Sequence, residues 1–238
     1  MKFIVEKEVF NIIPELNIAV LILKNVKENK QLNEKESKEL KELLDNANKE
    51  AKKYVPNEVI SENEVVKVWR EIYSRFPTKK GVRCSLENLL KRVLKDNPVG
   101  TILPSVDITN AISLEYAFPI GAEDLSKIKG NYSLGIMNGD ESFIPIGSDK
   151  EEPPEKGEVA YKDEEGVVCR CLNWRDGIRT EITDDTTYEF IAMECVEEQR
   201  INELKEALNK LEELMTKYLD AEVVIKDIVN VNNSEINV

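Results

Sequence analysis

Apolar residues in the first half of the chain recur mainly at the spacing of amphipathic helices. The pattern predicts three of them, over 33–54, 61–76 and 85–95. Asn33 and Glu36 are placed as a capping box at the start of the first helix, and Ser61 with Glu64 is expected to open the second. This half of the chain is therefore expected to be mostly helical.

In the second half, apolar and polar residues alternate with a period of two, which indicates short strands separated by turns. The predicted strand segments are 132–136, 143–146, 159–161, 167–172 and 188–196. A long amphipathic helix follows over 196–219, then a strand-like segment over 221–229 and an Asn-rich tail expected to be loose. At the N-terminus, 3–26 predicts two short strands separated by Pro14. Together these elements predict an α+β fold.

Segment 103–130 predicts a capped, half-buried helix that runs into a tight turn. Asp107 occupies the expected N-cap position, and Ile108, Ile112 and Tyr116 follow at helical spacing. Pro119 and Gly121 are expected to end the helix and to bring it close to the residues that follow.

The net charge of −13 repels nucleic acid as a whole, but the charge is unevenly distributed. Segment 75–96 has seven basic residues against two acids. Such a patch suits transient contact with the phosphates of a particular RNA better than tight, non-specific DNA binding. A solvated helix face would explain the same pattern, and both interpretations stay open.

Cysteine and histidine usage excludes several kinds of site. The four cysteines, at 84, 169, 171 and 195, include no Cys-x-x-Cys pair, and there is no histidine. We therefore expect no metal and no cofactor, and no Ser–His–Asp or Cys–His mechanism. Buried thiols, the lack of a secretory signal pattern and the short apolar runs favour a cytoplasmic protein without membrane contact.

Several ordered motifs resemble one family. V-D-I-T-N (106–110) is followed by P-I-G-A-E-D-L-S-K-I (119–128), and later by G-E-V-A-Y-K-D (157–163), V-V-C-R-C-L-N-W-R-D (167–176) and I-T-D-D-T-T (182–187). Across roughly 60–196 the chain resembles the B3/B4 domain of the bacterial phenylalanyl-tRNA synthetase beta subunit, which also occurs as free-standing proteins. The resemblance implies a layered β/β/α sandwich of mixed sheets with flanking helices.

In the synthetase this domain is an editing module, which hydrolyses tyrosine wrongly esterified to phenylalanine tRNA. The resemblance implies that Thr109 lines the editing pocket and that Gly121 stands where many synthetases have a histidine. Glu181 is the provisional counterpart of the editing glutamate. Alternatively, Thr109 is a first-turn hydroxyl that bonds the helix backbone, and Gly121 is a turn glycine.

Basic and aromatic residues supply candidate contacts to tRNA. Lys79, Lys80 and Arg83, with Arg75 behind them, are the candidates for the acceptor stem. Residues 173–176 would form a pocket wall, in which Trp174 stacks on a base or ribose and Arg175 binds a phosphate. The alternative for the last two is a core tryptophan beside an arginine at a strand end.

Three functions follow as hypotheses. The first is a free-standing aminoacyl-tRNA deacylase acting in trans on the aminoacylated 3′ end. The second is a non-catalytic tRNA or aminoacyl-binding module. The third is an interaction protein that forms homo-oligomers through the helix over 196–219. The whole chain, 1–238, is expected to form one B3/B4-like domain, with N-terminal strands and helix over 1–59 and a C-terminal helix and strand over 197–238.

Overall fold

The computed structural model describes residues 1–27 and 32–238. The helices in these ranges are α1 (Lys7–Ile12), α2 (Glu34–Glu50), α3 (Glu64–Tyr73), α4 (Ser85–Leu94), α5 (Pro104–Tyr116) and α6 (Ile201–Leu219). The capping box predicted for α2 is confirmed: Asn33 Oδ1 accepts from the Glu36 N–H, and the Glu36 carboxylate accepts from the Asn33 N–H, both at 3.0 Å. Within the described ranges, no helix is long and apolar enough to cross a membrane.

The larger sheet has six strands in the order β10–β1–β4–β5–β6–β7. Its members are β1 (Lys2–Val5), β4 (Tyr132–Ile136), β5 (Val159–Lys162), β6 (Val167–Arg170), β7 (Arg175–Asp176) and β10 (Glu235–Asn237). β1 and β4 are parallel, and the other neighbours are antiparallel. This sheet is therefore mixed, as expected.

The smaller sheet has four strands in the order β3–β8–β2–β9. They are β2 (Asn17–Lys24), β3 (Ile120–Asp124), β8 (Tyr188–Cys195) and β9 (Glu222–Val229). All three pairings are antiparallel, so the expectation of mixed sheets is wrong for this one. The strand predicted over 221–229 is present at its edge.

The sheets and helices form three layers because the smaller sheet is apolar on both faces. Ile18, Val20 and Ile22 of β2 join the core between the sheets, which also receives α1, α3 and α4. The alternate residues Ala19, Leu21 and Leu23 belong to a second core, against α2, α5 and α6. The α+β class and the β/β/α layering are thus confirmed. The apolar stripe of α6 is buried in the second core within its own chain.

Helix α5 is more deeply buried than its sequence predicts. It starts at Pro104 with Leu103 as the N-cap residue, so the prediction of Asp107 as N-cap is wrong. Asp107 lies in the first turn, where Oδ1 accepts from the Ile102 N–H at 2.7 Å. The helix ends before Pro119, at Ala117 in the left-handed region (φ 51°). Ser61 is likewise not a cap, because α3 starts after Asn63.

Several strand predictions needed correction because pairing partners were distant in sequence. β3 formed where a turn was expected, since it pairs with β8. The Asn-rich tail contains β10, which pairs with β1, and α1 lies between the two N-terminal strands. Segment 143–146 forms no strand; Pro145 makes one isolated bridge with Gly177.

Candidate functional site between the two sheets

A cleft lies between the inner faces of the two sheets, with β3 and β8 as its floor. Gly121 of β3 pairs with Ala192 of β8, so two small residues lie opposite each other. Apart from Gly121 and its two chain neighbours, no described residue has an atom within 4 Å of the position that a Cβ on Gly121 would take. Glu123 and Glu194 line the same cleft, each two residues along its own strand. The floor of the cleft thus has two small residues at its centre, with a carboxyl group on either side of them.

The larger sheet and the turn after β6 form the opposite wall. The remaining lining residues are Tyr132, Tyr161, Cys169, Leu172, Asn173, Asp176 and Phe190. The cavity volume of the cleft is about 10 Å³. That is about the room for one water. Gly121 and Asp176 are half-buried, whereas the other lining residues are buried, so the mouth lies at these two residues.

Glu194 is a buried carboxyl with a defined hydrogen-bonding environment. It is 1% exposed, its Oε1 accepts from the Tyr161 hydroxyl at 2.7 Å, and its Oε2 accepts from Asn173 Nδ2 at 3.3 Å. Asn173 Oδ1 in turn lies 2.8 Å from the Tyr73 hydroxyl, which fixes the amide. Burial raises the pKa of Glu194 to about 8, although both hydrogen bonds act to lower it. Glu194 therefore exchanges a proton near neutral pH.

Glu123 and Asp176 extend this acidic cluster. Burial, followed by the charge of Asp176, raises the pKa of Glu123 well above its ordinary value. Burial also raises the pKa of Asp176, which faces Cys169. Glu123 is 3% exposed, and its Oε2 has no hydrogen-bond partner among the described residues. Among the described residues, no lysine or arginine lines the cleft, so its three carboxyl groups lack a neutralising cation there.

Thr109 and Glu181 do not line this cleft. Thr109 is 7% exposed, and its hydroxyl donates to the Val106 carbonyl at 2.9 Å, as a helix hydroxyl does. Glu181 is half-buried and close enough to Asp176 to contribute to its raised pKa, which places it near the mouth. Of the three expected catalytic positions, the structure therefore puts Gly121 in the cleft and Glu181 beside it.

Most of the expected RNA-binding residues form ion pairs within the chain. Arg75 Nη1 lies 2.6 Å from Glu15 Oε1, and Arg83 Nε lies 3.3 Å from Glu87 Oε1. Lys80 is exposed and makes no ion pair with any residue of the described ranges. Among the described basic residues expected to bind RNA, Lys80 therefore keeps the most freely available charge.

Glu152 connects the two groups of candidate RNA contacts. Its carboxylate lies 2.8 Å from Lys79 Nζ and 3.9 Å from Arg175 Nη1. Arg175 directly precedes Asp176 at the mouth, and the half-buried Trp174 precedes Arg175. The Arg170 guanidinium carbon lies 5.7 Å from the centre of the Trp174 ring. Lys79 and Arg175 therefore share one acidic partner beside the cleft mouth.

Comparison with known proteins gives the family. The model described as the B3/4 domain matches residues 68–228, which is more than half of the chain. This chain belongs to the B3/4 domain family. Its fold is also similar to the crystal structure of an N-terminal fragment of the phenylalanyl-tRNA synthetase beta-subunit from Pyrococcus horikoshii, at 13% identity and a TM-score of 0.48. The match covers 93% of this chain and 49% of that fragment, and no curated protein matches.

All residues that line the cleft fall inside the B3/4 match. Sequence reasoning placed 173–176 at a pocket wall but missed Glu123 and Glu194 as members of the site. A signal was present for both: G-x-E at 121–123 and A-x-E at 192–194 place an acid and a small residue on the same face of a strand. An acid on a strand face that is otherwise apolar indicates either a paired structural charge or a site.

Proposed function

We propose that this protein is an editing-like hydrolase, which cleaves in trans the ester of a mischarged aminoacyl-tRNA. The observation that carries this proposal is the small cleft of a B3/4 domain with Glu194 inside it, a carboxyl whose pKa of about 8 suits proton transfer near neutral pH. The chain has no histidine for this task.

In this proposal Glu194 accepts a proton from the water that attacks the ester carbonyl. The Tyr161 hydroxyl and the Asn173 amide hold its two oxygens in place, so one orientation is kept between turnovers. A positioned general base contributes about 10²–10⁴-fold to a rate. Aminoacyl esters are already activated, so a contribution of this size is sufficient for useful hydrolysis.

The surroundings of the mouth support a nucleic-acid substrate. Lys79, Lys80 and Arg175 are proposed to contact phosphates near the aminoacylated end, with Trp174 beside them. The cleft is too small for a whole aminoacyl adenosine, so the adenosine would stay outside at the mouth. Phosphate groups there would compete with Glu152 for Lys79 and Arg175.

The test is deacylation of a panel of mischarged tRNAs by the purified protein, with heat-inactivated protein as the background. We expect release of at least one amino acid, with a rate that rises between pH 6 and 8 as Glu194 loses its proton. Glu194→Gln should reduce the rate at least 100-fold and leave the melting temperature at pH 6 the same or higher. Absence of release from every tRNA would refute the proposal.

A tRNA-binding module without catalysis is the second candidate, and the bond between the Thr109 hydroxyl and Val106 favours it. Retention of charged tRNA without turnover, weakened by Lys79→Ala/Lys80→Ala, would support this candidate.

The catalytic roles expected for Thr109 and Glu181 stay predictions, as does the organisation of 1–238 as one domain. Oligomerisation through α6 loses support, because its apolar stripe is buried in its own chain.

A further inference from the structure

The cleft that we propose as the hydrolytic site combines aromatic rings and carboxyl groups. Tyr132, Tyr161 and Phe190 line it, with centroids 4.8 Å apart for Tyr132 and Phe190 and 5.6 Å apart for Tyr132 and Tyr161. Ring faces attract organic cations, and carboxylates do so more strongly. The lining therefore has the chemistry of a pocket for a cation.

Glu123 gives the second, independent observation. Its Oε2 is buried without a hydrogen-bond partner in the part of the chain that the structure describes, which is rare and costly in a folded protein. The Thr180 hydroxyl lies near enough to lower the pKa of Glu123, but the two groups form no hydrogen bond of normal geometry. An incoming donor would satisfy this oxygen.

Size and coordination restrict what the donor can be. The free volume of about 10 Å³ admits one small polar group, and an aromatic side chain is too large for it. A bound ammonium group would fill this space, so the water that Glu194 activates would lie on the mouth side of that group. In residues 1–27 and 32–238, no group of three or more metal-ligating side chains is placed to hold a metal ion. A primary ammonium group fits both restrictions.

The geometry points to a binding site for the free α-ammonium group of an amino-acid ester, formed by Glu123, Asp176 and the aromatic rings of the cleft. This inference rests on the proposed function for its natural substrate. It adds a specificity: esters with a free amino group are accepted, whereas N-acylated ones, such as peptidyl-tRNA, are excluded. A deacylase acting in trans would thereby spare growing peptides.

Binding of the ammonium group should release a proton, because burial raises the pKa of the carboxyl groups of the cleft and a bound cation would lower it again. The titratable groups around the cleft are Glu123, Tyr132, Tyr161, Cys169, Asp176 and Glu194, with Asp124, Arg179 and Glu181 just outside. Arg179, the cation nearest to Glu123 in this set, is held by Asp163 through contacts of 2.7 and 2.8 Å. It is therefore not free to neutralise Glu123.

The test uses three probes of similar size without tRNA: alaninamide, its hydroxyl analogue lactamide, and N-acetylalaninamide. We expect calorimetry or NMR titration to show alaninamide binding at least tenfold more tightly than the other two. Its affinity should rise from pH 6 to about 7.5 and then fall as the amine itself deprotonates at about pH 8. The heat should also depend on the ionisation enthalpy of the buffer, as proton release requires.

Glu123→Gln should abolish this preference, whereas Glu164→Gln, an exposed acid outside the cleft, should not change it. A thermal melt establishes that each variant is folded. Equal binding of alaninamide and lactamide, or an unchanged preference in folded Glu123→Gln, would overturn the inference. Binding without deacylation would refute only the proposed function. Equal hydrolysis of free and N-acetylated aminoacyl-tRNA would refute only the ammonium site.

Discussion

Two sets of buried acids in this protein have opposite surroundings. Glu87 and Glu194 are each 1% exposed. Burial alone would raise the pKa of Glu87, but hydrogen bonds from Arg70 and Lys91 outweigh it and hold the pKa below its ordinary value. Glu194 has two neutral partners, and its pKa rises to about 8. Burial therefore does not decide the charge state of an acid; a cationic partner does.

Glu158 extends the first set and shows what a structural acid requires. Its oxygens accept from Arg170 Nε at 3.0 Å and Arg170 Nη2 at 2.7 Å, and also from the Cys171 and Glu155 N–H groups. Both side chains of the pair are at most 1% exposed. Glu123, by contrast, has a carboxylate oxygen with no hydrogen-bond partner within residues 1–27 and 32–238. Arginine or lysine side chains therefore neutralise the buried acids near α4 and β6. The acids of the cleft have no such partner, and a bound ligand could supply the missing cation there.

The largest expected effect on stability concerns Glu158, a buried acid that is paired with an arginine. Arg170→Met leaves Glu158 buried and unpaired, so the free energy of unfolding should fall by about 3–5 kcal/mol. Urea denaturation followed by circular dichroism measures this loss. The double variant Arg170→Met/Glu158→Leu should recover most of it. A single variant as stable as the parent would show that Arg170 does not compensate Glu158.

The second effect concerns the pH dependence of stability. Because the pKa of Glu194 is raised from 4.5 to about 8 in the folded protein, the folded state binds more protons than the unfolded state between these values. The contribution of Glu194 to stability is present below pH 4.5 and is lost as the pH rises to about 8, by about 3–5 kcal/mol. Urea denaturation across this range should show a flatter profile for Glu194→Gln. An identical slope in both proteins would contradict the assignment.

The third prediction distinguishes an effect on the function of the cleft from an effect on the stability of the fold. A Cβ at Gly121 meets no atom within 4 Å, and its φ angle is not positive, so Gly121→Ala should change stability by about 1 kcal/mol or less. The methyl group should nevertheless occupy the free space and weaken alaninamide binding and deacylation at least tenfold. Gly100→Ala is the matched control, because Gly100 also has no neighbour within 4 Å and lies outside the cleft. Equal activity of the two variants would show that the functional site is not in this cleft.

The smallest effect is expected at the basic residues. Lys80 is unpaired in the described structure, whereas Lys79 already binds Glu152. Lys80→Ala should therefore weaken tRNA binding about two- to fivefold, and more than Lys79→Ala does. Filter binding at two salt concentrations measures both the affinity and its salt dependence. A larger loss for Lys79→Ala would show that the ion pair with Glu152 opens readily for RNA.

Local patterns predicted some elements well and others poorly. The capping box at Asn33 and Glu36, helix α4 and strands β4, β5 and β9 depend on nearby residues, and the sequence predicted each of them. β3 and β10 were missed because their partners, β8 and β1, are far away along the chain. Asp107 was misplaced as a cap because a buried first-turn acid and an N-cap acid give the same pattern of residues.

By itself the sequence determined the α+β class, the family resemblance and the absence of histidine, since these depend on residue identity and short spacing. The tertiary structure alone decided which acids meet. Glu123, Asp176 and Glu194 come from three strands, and only the pairing of β3 with β8 and the packing of the two sheets bring them into one cleft. Whether a buried acid is paired, and hence whether it keeps its proton, depends on partners that no local spacing specifies.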